Sequence, residues 1–280
     1  MKSLKASSLL MSRGGSREVE KLSISDLSYS PHLTIIDKLK ALITSLFGAG
    51  EQGAFYVPKP IVNGTQALFQ DSAGTVPVTA DGDPVGRMLD QSGNGNHAVQ
   101  SVSPSRPTYR TDGTLHWFEG DGVDDFFAAN QLIYGADFGV FAGVKSNDLS
   151  QGARYFTQAT EGDRIMLYST RSSGSAKMIT VLNGSTYVET PTSDLAAHIY
   201  STIRKASGQL ETRFDSSSVI RSGVPAAAFE PVEVTIGAAT PKVEFYDGRI
   251  YGLVVLSSAI DQANILAVES YLASLAGVTL

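Results

Sequence analysis

The side chains able to do chemistry concentrate in two short stretches, Asp90-Gln-Ser-Gly-Asn-Gly-Asn-His-Ala98 and Phe118-Glu-Gly-Asp-Gly-Val-Asp-Asp-Phe126. Carboxylate chemistry is one reading. Glu119 and Asp121 stand two residues apart, so a strand would place them on one face. Two carboxyl groups about 5–5.5 Å apart are what retaining glycoside hydrolysis needs. Gly120 and Gly122 argue for a turn over a strand here, and no catalytic residue is assigned. Calcium binding is a second reading: Asp90, Asn94, Asn96, Asp121, Asp124 and Asp125 all offer hard oxygen ligands. The spacing is not that of a twelve-residue calcium loop, and Asx-turns use the same side chains without metal. Calcium, on Asp90, Asn94, Asp121, Asp124 and Asp125, is the one candidate cofactor.

Sugar binding is the third reading, and it needs an exposed aromatic platform flanked by amides or carboxylates. Trp117, Tyr134, Tyr155, Tyr168, Tyr187 and Tyr246 are available, with Trp117 and Tyr134 the candidates. Trp117 is followed by Phe118, and alternation puts the two on opposite faces, one toward a core and one outward. His97 reads as a structural neighbour of its corner. His32, His116 and His198 share no zinc-like spacing. Neither a nucleophile elbow nor a phosphate loop is present, and the absence of cysteine excludes disulfides and thiolate chemistry.

These corners need strands to hold them. Short apolar runs at 54–57, 139–144, 165–168, 177–182, 198–205, 210–214, 232–236 and 249–256 alternate with turn signals, among them Asn183-Gly184 and Ser207-Gly208. No α/β alternation appears, so the expected architecture is all-β, a sandwich with one wet face per sheet. A C-terminal helix follows, capped by Ser258, with Ile265, Val268, Leu272 and Leu275 in one stripe and Gly277 as its stop. Its expected role is to cover a sheet edge or one end of the sandwich.

Residues 1–50 differ from the rest. They carry seven Lys/Arg against four Asp/Glu, a charge of +3, and leave −9 on the remainder of a chain whose total is −6. Within this arm Ile36, Leu39, Ile43 and Leu46 recur at helical spacing. That helix is too short to stand alone. The basic arm favours a partner outside the chain over the chain's own body, which makes these four residues the docking candidates. Turn-rich residues 48–53 place a boundary between an arm, 1–52, and a domain, 53–280. The acidic balance argues against nucleic acid as partner. No apolar run suits a signal peptide or a membrane span, so assembly in the cytoplasm is expected.

Asp90-x-Ser-Gly-Asn-Gly-Asn-His-Ala98, Arg106-Pro-Thr108 and Phe118…Asp121-Gly-Val-Asp-Asp125, in that order, resemble the concanavalin A-like (laminin G-like jelly-roll) domains of bacteriophage structural proteins. Gly53-Ala-Phe-Tyr56, the hairpin from His198 to Leu210 and the closing run from Phe245 to Ser257 extend the likeness over 53–280. It implies a jelly-roll β-sandwich with an N-terminal arm and helix and a C-terminal helix, and calcium near such turns. It further implies a non-enzymatic virion component, of tail, fibre or head decoration, that oligomerises, docks other virion proteins through 1–52 and contacts host surface glycan. Laminarinase-type glycosidases share the sandwich and carry Glu-x-Asp-x-x-Glu; here Asp124 replaces the last Glu. A virion-borne glycosidase or depolymerase, or a free-standing lectin, are the alternatives.

Overall fold

The computed structural model describes residues 35–148, 153–159, 164–172, 175–182, 186–189, 194–224, 232–239 and 242–280. Two antiparallel sheets dominate. The first runs, edge to edge, through Ser217–Arg221, Gln209–Phe214, His198–Lys205, Phe138–Ser146, Asp247–Leu256, His116–Asp121 and Thr108–Thr111. Gly53–Tyr56 shares the edge of Asp247–Leu256 with His116–Asp121, pairing Gly53 with Leu256 while Phe118 pairs with Ile250. The second sheet runs through Thr186–Glu189, Ser175–Leu182, Arg164–Ser172, Ala153–Ala159, Val234–Ile236, Phe127–Ala129, Ala98–Val99, Arg87–Met88 and Leu68–Phe69. Between the sheets lies one core, with Tyr56, Phe118, Phe127, Phe138, Tyr155, Phe156, Tyr200 and Tyr246 among its members. This is an all-β sandwich of two antiparallel sheets, as the strand pattern predicts.

A second apolar cluster lies on the outer face of the first sheet. There Phe55, Trp117, Phe141, Ile199, Ile203, Tyr251 and Val254 meet two helices, α1 (Ile35–Phe47) and α2 (Gln262–Ala276). The central strands are therefore buried on both faces, which is why Phe138–Ser146 and Asp247–Leu256 read as near-continuous apolar runs. The expected wet face of this sheet is dry at its centre.

Helix α2 starts at Asp261, whose Oδ1 accepts the Asn264 N–H at 2.7 Å; Ser258 is not its cap. It ends at Gly277 in the left-handed region, φ +69°. Its stripe of Ile265, Val268, Leu272 and Leu275 is buried on the sheet face rather than over an edge. Between that stripe and the sheet lies Glu269, fully buried and bridged to Arg213 at 2.7 Å; Arg213 also bonds Glu211 at 2.9 Å, and Ser201 Oγ donates to Glu269 at 2.9 Å.

Helix α1 corrects an expectation. Leu39 and Leu46 are buried with Leu42 and Phe47 against the chain's own sheet and α2, and Ile43 packs half-buried beside them. Their stripe is spent inside the molecule, because the outer face of the first sheet offers more apolar surface than α2 can cover. The Ile36 side chain lies outside the described residues. Packing therefore crosses the 52/53 boundary, since Leu42 and Phe55 share one cluster. Gly208, at φ +91°, closes the hairpin of His198–Lys205 and Gln209–Phe214. Asn183-Gly184, expected as a turn, lies outside the described residues.

Candidate functional site

The first corner is a fastening. Asp90 is buried and its carboxylate accepts four hydrogen bonds. Oδ1 accepts the Phe55 and Ser92 N–H groups, each at 2.9 Å; Oδ2 accepts Ser92 Oγ–H at 2.7 Å and the Asn96 N–H at 3.1 Å. Asn94 Nδ2 donates to Glu51 O and Gly53 O, Asn96 Nδ2 donates to Gly53 O, and the Tyr56 hydroxyl donates to Asn96 O. Gly93 and Gly95, at φ +93° and +76°, let the loop fold back for these bonds. Asp90 and Asn94 are thus not calcium ligands. Protein donors already occupy the Asp90 carboxylate, and Asn94 presents its nitrogen to the first strand.

The second corner begins in a strand, where a turn was expected. Glu119-Gly120-Asp121 is extended within His116–Asp121, and Gly120 faces Gly248 across the ladder. A Cβ at Gly120 would come within 2.4 Å of the Tyr246 carbonyl oxygen, so glycine serves close packing there. The turn starts at Gly122, φ +72°. Glu119 lies between two guanidinium groups, Arg110 Nε at 3.1 Å and Arg249 Nε at 3.5 Å. Its oxygens are committed to these pairs rather than aimed into a cleft.

Asp121, Asp124 and Asp125 do come together, with a ligand atom from each within 4.8 Å of the others. Asp121 Oδ1 accepts the Val123 and Asp124 N–H groups, Asp124 Oδ2 accepts Ser105 Oγ–H, and Asp125 Oδ2 accepts the Asp121 N–H. Burial first, and then the Asp121 charge, push the Asp125 carboxyl up to about 7. Among the described residues, one oxygen of each acid meets no hydrogen-bond donor, so the three residues fit a hard cation and would hold it together.

The two corners converge on a cleft. Ala98–Val99 continues the first, Phe127–Ala129 the second, and the strands pair at Val99 and Ala128. Ala98, Phe127 and Ala129 face the inter-sheet core, so Val99 and Ala128 face outward. They floor a cleft of about 450 Å3 whose walls are Asn96, His97, Asn130, Gln131, Tyr134, Val232 and Glu233. That volume is in the range of small-molecule sites.

Tyr134 is 50% exposed at the cleft's rim, and its ring is held in place. Its hydroxyl donates to Gln131 O at 2.9 Å and its N–H to Ser257 Oγ at 2.7 Å. Beneath the loop, fully buried Gln158 accepts the N–H groups of Leu132 (3.1 Å) and Ile133 (3.0 Å) and donates to Ile133 O at 2.7 Å. Three bonds from one buried amide hold Leu132 and Ile133, next to Tyr134, before any ligand arrives.

His97 does two jobs. Its Nδ1 accepts the Asp90 N–H at 3.1 Å, so the neutral ring carries its proton on Nε2. Burial, and then the Arg87 charge, lower its pKa against the pull of Asp90, which keeps the ring neutral. The cleft thus combines an aromatic face, amides, an imidazole N–H and one carboxylate.

Trp117 is corrected. It is buried in the cluster under the helices, 5.8 Å from the Tyr251 ring centroid, with the Arg249 guanidinium 4.4 Å above its own ring. Alternation does separate it from Phe118, but helices cover one face and the second sheet the other, so both are buried. Tyr155 and Tyr246 are core residues; the side chains of Tyr168 and Tyr187 lie outside the described residues. Sequence reasoning missed Asn130, Gln131, Gln158 and Glu233. The amide pair at 130–131, just before an aromatic, was the available signal for two of them; Gln158 and Glu233 carry none.

No family model matches the chain, and no curated protein matches it. Solved structures share its architecture at low identity. A GH54 α-L-arabinofuranosidase soaked with a cyclic sulfate inhibitor is 13% identical over 84% of this chain and 65% of that one, at a TM-score of 0.57. The binding domain of botulinum neurotoxin serotype D is 10% identical, over 82% of this chain and 52% of that one, at 0.53. Botulinum neurotoxin type C, which interacts with two ganglioside molecules, is 8% identical over 82% and 53%, at 0.52. This chain therefore spans between half and two thirds of those proteins' length. What it shares with them is the fold, a lectin-like β-sandwich.

Proposed function

We propose that this chain is a non-enzymatic glycan-binding module that contacts host surface glycan through the Tyr134 cleft. The carrying observation is the Tyr134 ring itself, exposed, aligned by its own hydroxyl bond and by Gln158, and set beside Asn130, Gln131 and His97. An aromatic face for the apolar side of a sugar ring, with amide and imidazole groups for its hydroxyls, is the chemistry such a ligand requires. The non-catalytic reading is supported by Glu119, paired to Arg110 and Arg249. Placement on a bacteriophage virion rests on the motif resemblance. With Leu39 and Leu46 buried in the chain's own body, attachment to other virion proteins falls to residues 1–34.

The test is a glycan array probed with the full chain and with Tyr134→Ala. Wild type should bind a defined subset of sugars, and the variant should bind that subset at least about tenfold more weakly, ~1.4 kcal/mol. Circular dichroism should be unchanged, since the Tyr134 ring is not core. Equal binding by both proteins would sink the assignment of this cleft. Release of new reducing ends from host polysaccharide would sink the non-enzymatic reading.

A further inference from the structure

We infer that the cleft selects uncharged glycans over those bearing carboxylates, and that Glu233 sets this preference. The inference rests on the cleft being the glycan site. Among the described residues, Glu233 is the one charged side chain lining it, and neither Lys nor Arg lines it. Protein sites that take carboxylates supply a cationic fork or ammonium to meet them.

The nearby cations are already engaged. Lys242 Nζ is 2.7 Å from Glu233 Oε1 and 5.4 Å from the Phe126 ring centroid, so its charge is held between the two. Arg87, close enough to act on His97, points its Nη1 at the carbonyl oxygens of Ser72 and Ala73, at 3.5 and 3.4 Å. His97 itself presents a neutral ring, because Nδ1 is taken by the Asp90 N–H. A ligand carboxylate entering this cleft meets Glu233, only partly offset by Lys242, and no Lys or Arg among the described lining residues to receive it. Sugar hydroxyls, in contrast, find in Glu233 a strong acceptor and in the imidazole a donor.

Glu233 and Lys242 are both about half exposed, 52% and 43%, so solvent and salt weaken the repulsion. The expected preference is roughly fivefold at low salt. The full chain is titrated on an array of matched oligosaccharides, each neutral form printed beside its sialylated or uronate-bearing counterpart. Wild type should favour the neutral member by roughly fivefold, and added salt should narrow the gap. Glu233→Gln should bring the ratio toward one. Lys242→Met, which strips Glu233 of its counter-charge, should widen it. A purely structural role for Glu233 would weaken both members equally and leave the ratio unmoved, and that result overturns the inference. Equal or tighter binding of the acidic member by wild type also overturns it while leaving the glycan site intact. Silence toward both members removes the site and the inference together.

Discussion

Asp90 and Asp125 are buried acids in neighbouring Gly-rich corners, and their donors set them apart. Asp90 accepts four hydrogen bonds; Asp125 accepts one and faces Asp121 and Asp124. The Asp125 carboxyl, pushed up to about 7 from its usual 3.8, makes a pH prediction with a definite sign. Below about pH 4 both folded and unfolded chains hold its proton, so it contributes no slope. Between about pH 4 and 7 the unfolded chain releases that proton while the native state keeps it, and stability falls as pH rises. Asp125→Asn should remove this component. The difference in Tm between variant and wild type should grow from near zero at pH 4 to its full value above pH 7, in favour of the variant. Millimolar calcium, if the three acids take it, should raise wild-type Tm and spare the variant. Why the corners looked chemical is now clear: an Asx-turn and a calcium loop use the same oxygens, and only the direction of nearby N–H groups separates them. Tyr134 was legible only as one of several available aromatics; its exposure comes from the loop between Phe127–Ala129 and Phe138–Ser146 that carries it. Glu233 was not, since nothing local marks which exposed acid borders a cleft.

At the scale of elements, helical periodicity located both α1 and α2, and alternation put Trp117 and Phe118 on opposite sides of their strand. What each face meets was hidden, because a period of 3.6 says which residues turn inward and nothing about the surface they turn toward. Glu269 is the sharpest case. It interrupts the apolar stripe of α2 as a charge would on a solvated face, yet it is fully buried and bridged to Arg213. Glu269→Ala would leave the buried Arg213 guanidinium to Glu211 alone and take the acceptors from its Nε and Nη2. The expected loss is about 1–3 kcal/mol in chemical denaturation, the cost of buried donors left without an acceptor. Replacing all three charges, as in Arg213→Met with Glu211→Leu and Glu269→Leu, should recover most of it, which separates unpaired polar groups from lost packing. Equal losses in the single and triple variants would show that helix packing, not the ion pairs, sets the cost.

For the whole molecule, strand spacing and turn chemistry were enough to name a sandwich, since short runs punctuated by Gly and Asn admit few other closed solutions. They could not show a third layer of helices, because a strand buried on two faces differs from a half-buried one only in lacking alternation. That layer changes what truncation should do. Removing residues 1–34 should leave the fold intact, as α1 remains. Removing 1–50 strips Leu39, Leu42, Leu46 and Phe47 from the second apolar cluster. At about 1.5–3 kcal/mol for each such side chain, the loss is comparable to a domain's entire stability. The shorter protein should aggregate or melt far below the longer one, by differential scanning fluorimetry and gel filtration. Equal melting of the two would mean that α1 adds nothing to the body.

The helices occupy the outer face of one sheet, whereas Val99 and Ala128 open the cleft on the outer face of the other. Helix α1 and the cleft are therefore on opposite sides of the sandwich. Copies tethered side by side through their N-termini would all point their clefts away from the tether, toward whatever surface they approach. In that geometry a weak single site suffices, because simultaneous engagement of neighbouring clefts can raise avidity by about 10²–10⁴ without one new contact.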